Sequence, residues 1–84
     1  KNLQILDLAM NRLSQIENLE ELENLEELWI DSNRIEDKIS IYNLQKMPKL
    51  SCLTIKINPF CRNMSEVNFN ALVLGILPNL KELD

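Results

Sequence analysis

The chain has 84 residues, enough for one small unit, with 45% hydrophobic residues but only 5% aromatics and one glycine. That leucine-led composition is of an ordered chain rather than a low-complexity one. A net charge of −4 disfavours nucleic-acid backbone binding as the main activity, since phosphate contacts need clustered Lys and Arg.

The charge is uneven. Residues 17–37 hold nine acids against Arg34 alone, a local net of −8, and the remainder carries +4. Such an asymmetry can steer a basic partner. For most of these glutamates the simpler role is a solvated outer face. Cys52 and Cys61 form no CxxC pair and the chain has no His, so there is no ligand set for a structural zinc site. Two isolated cysteines point to a reducing, intracellular setting. With no apolar run of spanning length, neither a membrane segment nor a membrane partner is expected.

In chain order, the first informative stretch is LQILDLAMNRL, from Leu3. It recurs as LEELWIDSNRI from Leu25 and as LSCLTIKINPF from Leu50. All three fit LxxLxLxxNxL, with periods of 22 and 25 residues. This is the spacing of a leucine-rich repeat. The alternating leucines predict short strands whose apolar side chains point into the coil of a solenoid, each strand stacking in parallel on the next. Asn11, Asn33 and Asn58 follow the strands. Their amides are expected to form a ladder, bonding backbone groups that would otherwise be buried without partners.

Between the first two strands lies ENLEELENLEEL, residues 17–28, with Leu19, Leu22, Leu25 and Leu28 at every third position. An α-helix would wind that stripe around its axis and leave no single apolar face. A 3-10 or irregular arc suits it better. The glutamates at 17–22, Glu20 among them, are expected to face solvent. The second repeat is three residues longer and predicts a helical turn near 40–46, ended by Pro48.

From Ser65 the pattern changes. Ser65 is a good N-cap and Glu66 suits the positive end of a helix dipole. Val67, Leu72, Val73, Ile76 and Leu77 are expected to form the buried stripe, and Pro78 stops the helix. LPNLKELD then repeats the spacing of KMPKLSCL, so Leu80 and Leu83 begin a last short strand. The expected architecture is an α/β solenoid of leucine-rich repeats. Short parallel strands line its concave face, 3-10 or irregular arcs its convex side, and a helical cap its C-terminal end. The repeats run at about 3–24, 25–49 and 50–64, with the cap at 65–84, all within one unit (1–84) that reads as the C-terminal part of a longer solenoid.

Function on such a scaffold lies in the side chains between the consensus leucines. Three columns are expected: Ile5, Glu27, Cys52; Asp7, Trp29, Thr54; and Ala9, Asp31, Lys56. Met10, Ser32 and Ile57 lie at the margin. Trp29, flanked by Glu27, Asp7 and Asp31, is either an exposed interface anchor or a local cover lying over Asp7 and Thr54. Catalysis has no footing: there is no His, no Gly-rich phosphate loop, and no nucleophile with an evident base. No enzyme activity, cofactor, metal or small-molecule substrate is expected.

The rungs LxxLxLxxNxIxxIENL and LEELWI, the NP dipeptide and the terminal LPNLKELD resemble the SDS-type subfamily of intracellular leucine-rich repeat proteins over essentially the whole chain. Within it they are most similar to the leucine-rich regulatory subunits of protein phosphatase 1. The resemblance implies a regulatory scaffold whose concave face holds a phosphatase catalytic subunit. Asp7, Glu27 and Trp29 match that family's binding residues, with Asp31 and Thr54 completing the face, although Thr54 stands where the family has a tyrosine. The cap also departs, with Phe69, Asn70, Ala71 and Leu72 where relatives have an aromatic followed by basic residues. The same ELW rung occurs in axonemal outer-arm dynein light chains, and similar caps in the spliceosomal A-prime protein. The alternative is therefore an axonemal or microtubule-associated protein docking a dynein or filament component. Either way the resemblance implies a protein partner and an intracellular location, in cytoplasm or nucleus, or in the cilium for the alternative.

Overall fold

The computed structural model describes residues 3–19 and 21–84. Lys1, Asn2 and Glu20 lie outside them, and with Glu20 the expectation that it faces solvent. Four strands, β1 (Ile5–Asp7), β2 (Glu27–Trp29), β3 (Cys52–Thr54) and β4 (Glu82–Leu83), form one parallel sheet in chain order. Their register aligns Leu6 with Leu28, Leu28 with Leu53, and Leu53 with Leu83. The consensus leucines therefore stack in one file, fully buried at Leu28 and Leu53. Burying a leucine of this kind contributes about 1.5–3 kcal/mol. Ile30, Ile35, Ile41, Leu44 and Ile55 fill the space between the sheet and the outer arcs.

Leucine at every third residue has a direct backbone cause. The N–H of Leu22 donates to the Leu19 carbonyl at 2.9 Å, and that of Leu25 to Leu22 at 3.1 Å. Each leucine thus closes a three-residue turn on the one before it, the bond of a 3-10 helix. The same step recurs as Met47 on Leu44, Leu50 on Met47, and Leu80 on Leu77. The rest of the first arc is irregular, and the second coil satisfies its backbone. Ser40 Oγ accepts the N–H of Ile16, and Asn43 Nδ2 donates to the Ile16 carbonyl. The second arc carries α1 (Ile39–Asn43) and one 3-10 turn, Leu44–Lys46, so the helical turn near 40–46 is divided between two helix types.

The cap helix, α2 (Glu66–Ile76), starts where Ser65 accepts the N–H of Asn68 at 3.1 Å. Its buried stripe differs from the expected one. Phe69 is 3% exposed and joins Val73, Ile76 and Leu77 in the core, whereas Val67 is 75% exposed and Leu72 only partly buried. The helix is apolar on nearly every side, so spacing alone does not say which stripe turns inward. The Phe69 ring packs against that of Phe60 with centroids 6.3 Å apart. That contact draws the aromatic position inward.

Candidate functional site

The strands expose the side chains that alternate with the buried leucines, because successive residues of a strand face opposite sides. In register, Asp7 pairs with Trp29 and Trp29 with Thr54; Ile5 pairs with Glu27 and Glu27 with Cys52. Neighbouring rungs lie about 4.8 Å apart, so each column is a continuous patch. Asp31 follows the same strand past Trp29, and its carbonyl accepts the N–H of Met10 from the preceding coil.

Trp29 is 36% exposed. Its indole Nε1–H donates to Glu27 Oε2 at 3.3 Å, within its own rung rather than across the column. Asp7 Oδ1 accepts the N–H of Ala9 at 3.0 Å, a tight local turn at the end of β1. Thr54 is half-buried and its Oγ1 donates to Asp31 Oδ1 at 2.9 Å. Asp7, Glu27, Trp29, Asp31 and Thr54 thus share one shallow face whose side chains are held by neighbours. Held side chains lose less rotamer entropy when a partner covers them.

The fourth rung enlarges this face beyond what the sequence suggested. Glu82 extends the column of Glu27 and Cys52, and Asp84 follows it. The Cys52 thiol donates to Glu82 Oε1 at 3.5 Å. Burial raises the thiol pKa, and this hydrogen bond and the charge of Glu27 raise it further, which keeps Cys52 protonated. Lys56 is the cation of the third column. It meets Glu66 Oε1 at 2.7 Å and Asp84 Oδ1 at 3.3 Å, and sits 5.4 Å from the Phe69 ring centroid. The repeat in LPNLKELD is the sequence signal for this fourth rung.

The asparagines hold these rungs in place. Asn33 Nδ2 donates to the carbonyls of Leu8, Ile30 and Asp31, and its Oδ1 accepts the N–H of Leu13. Asn58 repeats this one coil later, on Ile30, Ile55 and Lys56, with Oδ1 accepting from Ile35. Asn11 is exposed and, among the described residues, donates only to Leu8 and Ala9 of its own coil. The residue before each asparagine is left-handed: Met10 at φ 57°, Ser32 at 60° and Ile57 at 59°. None of the three is the glycine or asparagine that this conformation favours. No group of three or more His, Cys, Asp or Glu side chains positioned to hold a metal occurs among the described residues. Nor, among them, is any helix long and apolar enough to cross a membrane.

Comparisons with known proteins agree with the stacked coils. The family profile described as leucine-rich repeats (2 copies) matches residues 1–41. A chain of the Drosophila melanogaster SNF/U2A′ complex superposes with a TM-score of 0.79 at 28% identity, over 98% of this chain and 47% of that one. The chain folds as a leucine-rich repeat solenoid. Human cilia- and flagella-associated protein 410 is 31% identical over 99% of this chain and 32% of its own length. The mouse protein of the same name is 30% identical over 99% of this chain and 33% of its length. Human leucine-rich repeat-containing protein 36 is 29% identical over the whole chain, which spans 11% of that protein. The solenoid described here therefore corresponds to about a third or less of these curated relatives.

Proposed function

We propose that this chain is a non-catalytic protein-interaction module that docks a protein component of a ciliary assembly across its concave face. The observation that carries the reading is the column Asp7–Trp29–Thr54, flanked by Glu27 and Asp31: a half-exposed tryptophan on an open, acidic, pre-ordered sheet. Aromatic anchors in such surroundings dominate binding energies at interfaces. The ciliary assignment draws on the two proteins named as cilia- and flagella-associated. The phosphatase reading is the second. It is supported by the match of Asp7, Glu27 and Trp29 to the binding residues of the phosphatase 1 regulatory subunits.

The two readings separate in one pair of measurements. Tagged protein is followed in ciliated cells, and binding to the type-1 phosphatase catalytic subunit is titrated in vitro, each beside Trp29→Ala. The ciliary reading predicts enrichment in the cilium, lost in Trp29→Ala, and no phosphatase complex. A diffuse distribution with phosphatase affinity that falls by about 2 kcal/mol or more in Trp29→Ala establishes the second reading instead. If Trp29→Ala behaves as the parent in both assays, Trp29 is a local cover.

A further inference from the structure

Beside the concave face, where the third coil meets the cap, the surface folds into a cavity of about 570 Å³. Ile57, Pro59, Met64 and Phe69 give it an apolar wall, and Arg34 and Arg62 stand at its rim. Both arginines are exposed, and among the described residues neither guanidinium is engaged in an ion pair. Lys56 and Glu66 also line the cavity, but they neutralise each other at 2.7 Å. The amides of Asn33 and Asn58 are consumed by the ladder. The unpaired charge of the cavity is thus two guanidinium forks.

Ile57 adds a second observation. It is 74% exposed and left-handed, at φ 59°. A β-branched residue in that conformation costs about 1–2 kcal/mol. The strain holds an apolar side chain at the mouth of the cavity, where asparagine or glycine would relax the backbone.

We propose that this cavity is a second docking site, which takes a short acidic peptide segment of a protein partner. One apolar side chain of the segment seats against Ile57 and Met64. Its neighbouring carboxylates pair with Arg34 and Arg62, whose planar forks suit carboxylates. Charge complementarity selects this occupant. The lining holds three cations to one carboxylate in a chain of net charge −4. The adjoining concave face, with Asp7, Glu27, Asp31, Glu82 and Asp84, repels the same segment and leaves the cavity as its place. A nucleic-acid backbone finds only two free cations here, between apolar walls and beside that acidic face. This site is independent of the column built on Trp29, and its test does not depend on that reading.

The probe is a fluorescein-labelled pentapeptide, Glu-Asp-Phe-Asp-Glu, titrated against the protein by anisotropy, with amide chemical shifts mapped in parallel. Its basic counterpart, Lys-Arg-Phe-Arg-Lys, and a short single-stranded RNA are the comparison arms. The expected result is saturable binding of the acidic peptide alone, with shifts at Arg34, Ile57, Arg62 and Phe69. Affinity should fall by about tenfold or more in the double variant Arg34→Glu, Arg62→Glu and in Ile57→Asn, and stay unchanged in Trp29→Ala. Ile57→Asn is expected to relieve backbone strain, and its thermal melt, taken beside the titration, separates lost binding from lost folding. No saturation up to millimolar peptide, equal binding of the basic peptide, tighter binding of RNA, or indifference to these substitutions would each overturn the proposal.

Discussion

The side chain of Asn58 accepts the backbone N–H of Ile35 across 3.1 Å, joining two coils through a bond between residues 23 apart in sequence. Both groups are buried, and Asn58 Nδ2 donates to two further buried carbonyls, those of Ile30 and Ile55. Asn58→Ala strands these groups without water, at about 1–3 kcal/mol for each that cannot rearrange. We expect a loss of about 3 kcal/mol in urea denaturation. Asn11→Ala, at an exposed site with contacts inside one coil, should cost about 0.5 kcal/mol. Equal costs at the two positions would show that the ladder is not what ties the coils together.

Ile57→Asn should raise stability by about 1 kcal/mol, because asparagine tolerates the left-handed backbone that isoleucine resists. Ser32→Asn, at the same place one coil earlier, should gain less, since serine carries no β-branch. Thermal melts of the two variants beside the parent measure both effects. A fall in melting temperature for Ile57→Asn would mean that the exposed isoleucine contributes packing that outweighs its strain.

Cys52 should resist alkylation. Burial first, then its hydrogen bond to Glu82 and the charge of Glu27, raise the thiol pKa, so the reactive thiolate is scarce at neutral pH. Iodoacetamide labelling followed by intact mass should run severalfold slower at Cys52 than in an unfolded control. Glu82→Gln removes a charged acceptor and should speed it. Parent labelling as fast as the unfolded control would refute the expectation.

The pKa of Lys56 lies above the ordinary lysine value, chiefly through its hydrogen bond to Glu66. Partial burial opposes the shift and Asp84 adds to it. A cation whose folded pKa is raised contributes stability that is complete below the unfolded value of about 10.4 and is lost as pH rises through the folded value. Melting temperatures taken between roughly pH 9 and pH 12 should therefore fall more steeply for the parent than for Lys56→Met. Parallel curves would assign the alkaline loss to other groups.

How much of this was legible in the sequence follows from its periodicities. LxxLxLxxNxL placed the strands, because only one register buries Leu6, Leu28 and Leu53 together. The cap is legible in outline, since Ser65 and Pro78 bracket α2, but its spacing points to Val67 where the structure buries Phe69. An almost uniformly apolar helix lacks the contrast that periodicity needs. The left-handed turns are not legible, because Met10, Ser32 and Ile57 share no residue type that announces a positive φ. The cavity was invisible for another reason. Arg34, Ile57 and Phe69 come from three separate parts of the chain and meet only once the coils are stacked.

The three-residue turns leading into the strands have a wider consequence. Leu25, Leu50 and Leu80 each close the same turn just before a strand, although 25 residues separate the first two and 30 the last two. Coil length is absorbed upstream, by a bare arc, a short helix or the long helix α2, and the approach to the sheet is the same each time. The outer side of the protein can therefore lengthen, shorten or change its secondary structure while the rung that bears Trp29 stays in register. Concave face and outer wall are separable inheritances: selection can rewrite one without disturbing the other.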